Sequence, residues 1–130
     1  MPISCCSGKK TRLLFACSGG SDVGELADRA CRKLAERGAG QMYCLAGIGG
    51  DVSAIVKTTE AADELIAIDG CPVSCAAATL KRAGFDRFKH VVVTEMGFSK
   101  GSARVTPEVL DHLVNVIESD LNDGGMRLEE

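Results

Sequence analysis

Two cysteines four positions apart, Cys71 and Cys75, stand in the stretch Asp69-Gly70-Cys71-Pro72-Val73-Ser74-Cys75. An apolar run, Leu65-Ile66-Ala67-Ile68, leads into it and an alanine-rich helical pattern leaves it, so both thiols fall on a strand-to-helix turn. Proline suits the first helical position, where its missing N–H costs nothing, which predicts Cys71 at or near the N-cap and Cys75 one turn later on the same face. Unpaired N–H groups and the positive end of the helix dipole favour thiolates at such a start. A thiolate pair there is either a metal-ligand pair or a redox pair.

Two further thiols bear on that choice. Cys17 closes the apolar run Leu13-Leu14-Phe15-Ala16, and Cys44 lies in a second run, Met42-Tyr43-Cys44-Leu45-Ala46. If each run is a parallel strand, Cys17, Cys44, Cys71 and Cys75 emerge at one edge of a sheet, where open α/β folds bind their ligands. Soft thiolates in a tetrahedral set select zinc or an iron–sulfur cluster in preference to magnesium or calcium. The bland reading is that cysteine is often a buried small hydrophobe. It is the better reading for Cys31, on the apolar face of a helical pattern, and it competes at Cys44, which can still point inward along its strand. Cys5 and Cys6 ride on a small, polar leader, where they are either extra thiols for the site or bystanders.

The elements that must position these groups follow from periodicity. Leu13–Cys17 is a short run with no alternation, as in a strand buried on both faces. It ends at Ser18-Gly19-Gly20. Asp22, with Glu25 three residues on, predicts a helix start, and Val23, Leu26, Ala27, Ala30, Cys31 and Leu34 recur at helical spacing until Gly38. The second run is followed by Gly47-Ile48-Gly49-Gly50 and a short helix from about Asp51 to Lys57. The third strand is Leu65–Ile68, with its helix carrying Ala76, Ala77, Leu80 and Ala83 up to Gly84. Val91-Val92-Val93 is the fourth strand, ending in Thr94-Glu95. Thr106-Pro107-Glu108 opens a last helix with Val109, Leu110, Leu113, Val114 and Ile117.

Strands alternating with helices predict a single-domain α/β sandwich of three layers, Rossmann- or flavodoxin-like, with a four-stranded parallel sheet in the order 2-1-3-4 and helices on both faces. Residues 1–11 read as a flexible leader, 12–122 as the domain and 123–130 as a frayed tail.

Composition narrows the function classes. The chain of 130 residues carries a net charge of −3, no tryptophan and only 4% aromatic residues, which disfavours a nucleic-acid binder with a basic face or a stacking platform. No apolar run approaches the roughly 20 residues that span a bilayer, and no signal sequence opens the chain, so a cytoplasmic protein with no membrane partner is expected. Seven cysteines are many. In a reducing compartment, clustered cysteines mean metal or catalysis more often than disulfides.

Other candidates are softer. Ser18-Gly19-Gly20-Ser21 and Gly47–Gly50 are turns at which a small anionic ligand could meet backbone N–H groups, although a bare glycine turn is the commoner explanation for each. Asp69 reads as a cap of the Cys71 turn. Glu95 is either an acid near the thiols or a solvated strand end. His90 precedes its strand and should face the opposite end of the sheet, and His112 sits on a polar helix face, so neither is assigned to a metal. A phosphatase or arsenate-reductase loop needs an arginine six positions after the cysteine, and position 23 is Val23. Without that guanidinium the chemistry loses its main electrostatic element.

With Asp69-Gly70-Cys71 in view, the chain resembles the DGC-domain family of zinc-binding proteins, named for that tripeptide. The resemblance runs from about Leu13 to Ile117. It includes Cys17-Ser18-Gly19-Gly20 with Asp22-Val23-Gly24, Cys44-Leu45-Ala46-Gly47-Ile48-Gly49, Ile68-Asp69-Gly70-Cys71-Pro72 with Cys75, and Val92-Val93-Thr94-Glu95. It implies a zinc ion held by four shared cysteines, here Cys17, Cys44, Cys71 and Cys75, and it names no reaction. Residues and resemblance together predict a zinc-binding protein acting in metal handling or zinc-assisted catalysis. The alternatives are a thiol/disulfide redox enzyme using Cys71 with Cys75 or Cys17, and an iron–sulfur carrier.

Overall fold

The computed structural model describes residues 10–123 and 127–129, so Cys5 and Cys6 and most of the predicted leader lie outside the described residues. In chain order the elements are β1 (Arg12–Ala16), α1 (Asp22–Glu36), β2 (Gln41–Met42), α2 (Leu45–Gly49), α3 (Ser53–Ala61), β3 (Glu64–Asp69), α4 (Cys75–Arg82), β4 (Phe88–Val92), a 3-10 turn (Val93–Met96), α5 (Pro107–Asp123) and β5 (Arg127–Glu129).

The first four strands are parallel in the expected order, 2-1-3-4. A fifth, β5, pairs antiparallel with β4, bonding along Phe88–His90 where a frayed tail was expected. Apart from charged end residues, the central strands are apolar, because both faces of the sheet are covered. Leu14, Ala16, Ile66, Ile68, Val91 and Val93 pack beneath α1 and α5. Leu13, Phe15, Leu65, Ala67 and Phe88 face the other way, beneath α2, α3 and α4. The layers therefore form a three-layer sandwich.

Two expectations change at the second run. The strand ends at Met42, and Leu45–Gly49 coils into α2, with a further helix, α3, after it. A short apolar run carries no period that separates a strand from a buried helical turn, and here the glycines decide. A Cβ on Gly47 would lie 2.7 Å from the Ile55 side chain, so this glycine lets α2 pack closely on α3. The fourth strand begins at Phe88 rather than Val91, and His90 lies within it. Alternation accounts for the difference: Phe88 packs into the core on the α4 side while Val91 and Val93 pack into the other.

At the amino-terminal ends of the strands, Glu64 joins Arg12 and Lys89, the latter at 3.0 Å. The opposite, carboxyl edge carries the thiols.

Candidate functional site

Each of the four thiols leaves the sheet in a different way. The Cys17 N–H donates to the Ile68 carbonyl, extending the β1–β3 ladder by one bond, and its sulfur accepts from the Gly70 N–H at 3.4 Å. The chain then turns sharply at Ser18, whose φ of 51° is left-handed, and the Ser18 hydroxyl donates to Asp28 at 2.7 Å. Gly19 and Gly20 lead to Ser21, which caps α1 by accepting from the Gly24 N–H. Ser21 therefore takes the capping role expected of Asp22. The N–H groups of Ser21, Val23 and Gly24 are each already bonded, to Gly19, Asp22 and Ser21.

Cys44 does not point inward along a strand. It is exposed and serves as the N-cap of α2, its sulfur accepting from the Gly47 N–H at 3.3 Å. Cys17 and Cys44 line one open cleft of about 730 Å³, together with Ser18, Asp28, Arg32 and Thr79. Partial burial pushes the Asp28 carboxyl up, but hydrogen bonds from Arg32 and Ser18 outweigh it and hold the group below its usual range.

The Asp69-Gly70-Cys71 tripeptide has a separate physical reason at each position. Asp69 is buried, 1% exposed, and caps α4 from seven residues away by accepting from the Ala76 and Ala77 N–H groups at 2.7 and 3.2 Å. The same carboxylate meets His90 Nε2 at 2.7 Å. A carboxylate oxygen accepts, so His90 donates through that nitrogen. The expectation that His90 faces the opposite end of the sheet is thus corrected: it props the cap beneath the Cys71 turn. Gly70 is required by space, because a Cβ there would stand 2.6 Å from the Val23 carbonyl carbon and oxygen and 2.7 Å from the Gly24 nitrogen. Cys71 follows, half-buried against the core on the α1 side.

Cys71 is not the N-cap, and Pro72 is not the first helical residue. Ser74 holds the N-cap position in a left-handed conformation, φ 58° and ψ 50°, with no side-chain cap of its own, and α4 starts at the exposed Cys75. The helix starts late because Asp69 already satisfies its first donors. Cys71 and Cys75 consequently lie on a turn and a helix start, not on one helical face.

Sequence reasoning missed three residues here. Lys100 brings its Nζ to 3.8 Å from the Cys71 sulfur. It arrives on a loop that Asp22 holds, the carboxylate accepting from the Gly101 N–H at 3.0 and 2.9 Å and the Ala103 N–H at 2.9 Å. Hydrogen bonding from Gly101 above all keeps the Asp22 carboxyl below its ordinary value, against the partial desolvation that raises it. No local spacing signals these long-range contacts. His90 is the exception, since its even spacing from Phe88 places both on one strand face. Glu95 is exposed in the 3-10 turn, and His112 is exposed on α5 as expected.

Cys31 behaves as the core residue anticipated. It is fully buried, and burial pushes its thiol up to about 12. The other four described cysteines are free and within reach of solvent. Among the described residues, no three Cys, His, Asp or Glu side chains stand close enough together to hold a metal ion. The donor chemistry suits a soft cation, with N–H groups already directed at two of the sulfurs. In this conformation, however, the thiols do not form a complete ligand set. No helix among the described residues is long and apolar enough to cross a membrane.

Comparison with known proteins returns the family whose description is the DGC domain, matched over residues 13–117. That span contains all four of these thiols. The anaerobic and virulence modulator AnvM of Pseudomonas aeruginosa, strain PAO1, is 35% identical over 88 residues, covering 68% of this chain and 67% of that protein. No solved structure matches.

Proposed function

We propose that this chain, which belongs to the DGC domain family, is a thiolate metal-binding protein that takes up one zinc ion through Cys17, Cys44, Cys71 and Cys75. The observation that carries the reading is the contrast among its cysteines. Cys31 is sealed in the core, while the other four described cysteines stand in loops and helix starts after three successive parallel strands, each unpaired and open to solvent. Core packing explains the first fully; Cys17 and Cys71 touch the core with one side only, and Cys44 and Cys75 are exposed. N–H groups that donate to the Cys17 and Cys44 sulfurs help fix where these two thiols lie.

Four thiolates would close the shell and suit zinc storage, transfer or sensing; a Lewis-acid role would need one position left to water. Filling a tetrahedral set requires the Cys17–Cys44 cleft and the Cys71–Cys75 turn to draw together. AnvM is named a modulator, and a metal-responsive regulatory role is compatible with a site of this kind.

A second reading, a thiol redox enzyme, is favoured by the Lys100 ammonium beside Cys71. The Cys71 thiolate would attack a substrate disulfide, breaking its S–S bond and forming a mixed disulfide. Cys75 or Cys17 would then displace the second substrate thiol, leaving the protein oxidised by two electrons and the substrate reduced.

Elemental analysis of anaerobically purified protein separates the two. Zinc at about one per chain, lost on substituting any of the four cysteines by serine and retained in Cys31→Ser, is the expected result. Metal-free protein whose disulfide turnover vanishes in Cys71→Ser alone would replace it with the redox reading. Iron and sulfide in place of zinc would identify a cluster.

A further inference from the structure

The loop after the 3-10 turn is fastened at three places. Phe98 packs on the core at its start, Ala103 and Val105 do so at its end, and between them the Asp22 carboxylate takes the Gly101 and Ala103 N–H groups. Within it the Ser102 N–H closes a turn onto the Ser99 carbonyl, and Gly101 sits at φ 94°, a conformation that suits glycine. Lys100 lies on that turn, so the backbone fastening delivers its ammonium to the Cys71 sulfur. An exposed lysine on a loose loop pays side-chain and backbone entropy to stay near one partner. Here the backbone part is already met.

A zinc ion with four thiolates carries a net charge of −2, and the ligands repel one another before the ion arrives. We infer that Lys100 is a charge-compensating residue of the thiol site and that Asp22 is its positioning residue, the 98–104 loop acting as a strap that holds one positive charge over Cys71. This rests on the proposed metal-binding role for its consequence in affinity, but not for the placement of the charge.

Two measurements test it on the full chain. In the first, zinc affinity is read by competition with a chromogenic chelator. For an exposed pair the loss in Lys100→Ala should be about threefold, with about tenfold in Lys100→Glu and recovery to within about twofold in Lys100→Arg. Asp22→Asn, which unfastens the loop, should weaken binding as Lys100→Ala does, and the double variant should be no worse than Lys100→Ala alone, because both changes take the same Lys100 ammonium away from Cys71. High salt should shrink all these differences. Zinc affinity unchanged in Lys100→Glu at low salt, or full additivity in the double variant, would overturn the inference.

The second measurement needs no metal. Cys71 alkylation by anionic iodoacetate and by neutral iodoacetamide is compared site by site with mass spectrometry. The iodoacetate-to-iodoacetamide ratio at Cys71 should fall severalfold in Lys100→Glu and also fall in Asp22→Asn, while the ratio at Cys44 stays put. A ratio at Cys71 indifferent to both changes sinks the strap. Wild-type protein that takes up no zinc yet shows the altered ratio sinks the metal reading and leaves the strap standing, as a device for steering anionic thiol reagents.

Discussion

Gly70 shows most directly how the site depends on single residues. Its Cα backs onto the main chain of Val23 and Gly24, with no room for a methyl group, and backbone atoms cannot rotate aside as a side chain would. Gly70→Ala should therefore force the Cys71 turn away from α1 and cost about 2–3 kcal/mol, read as a lowered urea midpoint. Gly19→Ala is the control. A Cβ there meets nothing within 4 Å, so its midpoint should stay within about 0.5 kcal/mol of wild type. Equal losses in the two variants would show that the close approach at Gly70 is not what fixes the turn. Asp69 and Cys71 on either side of it act through hydrogen bonding and through sulfur, so the tripeptide combines three constraints of different physical kinds.

Among the elements, the 98–104 loop offers a sharp test through pH. Hydrogen bonds hold the Asp22 carboxyl below its ordinary value of 3.8. A group depressed in the folded state contributes stability that is complete above the unfolded value and is lost as pH falls through the lower, folded one. Amide protection at Gly101 and Ala103 should thus persist at neutral and mildly acidic pH and drop only below 3.8. In Asp22→Asn it should be weak across the whole range. Protection at those two amides that survives the Asn substitution would show that Phe98, Ala103 and Val105 fix the loop without the carboxylate.

What the sequence disclosed at this scale follows from length and repetition. α1 and α5 are long enough for the helical period to be unmistakable, and β1 and β3 are apolar on both faces as parallel strands must be. α2 is hidden because Leu45 and Ala46 look like the end of a strand and Gly47–Gly49 like a turn, five residues too few to carry a period, and the start of β4 is hidden because Lys89 and His90 look too polar for a strand until Asp69 is seen to receive His90. The thiols themselves were legible, through their position after successive strands. Their fastenings were not: Asp22 to Gly101, Lys100 to Cys71 and His90 to Asp69 all join residues distant in sequence.

In the molecule as a whole, the core lies between the layers and the thiols lie at its edge or beyond it. Two apolar layers flank the sheet, one beneath α1 and α5 and the other beneath α2, α3 and α4, and neither draws on Cys44 or Cys75. A domain that folds on its own core differs from a zinc finger, which unfolds without its ion. Chelator-treated protein should keep its far-UV circular dichroism and a cooperative thermal transition. Zinc at a hundredfold excess over its Kd should add about 2.7 kcal/mol and raise Tm by several degrees. Collapse of the helical signal on chelation would show instead that the metal organises the fold.

The two outer strands have a consequence of another sort. At one side of the sheet β2 offers a ladder of two residues, and at the other β5 closes β4 with three, running against it. The long, regular strands β1 and β3 are enclosed between these, and an intruding chain would find only a few unpaired backbone groups from which to template further pairing. With this arrangement, the abundance of Val, Ile and Leu needed for a doubly covered sheet does not by itself make the folded molecule prone to assemble edge to edge.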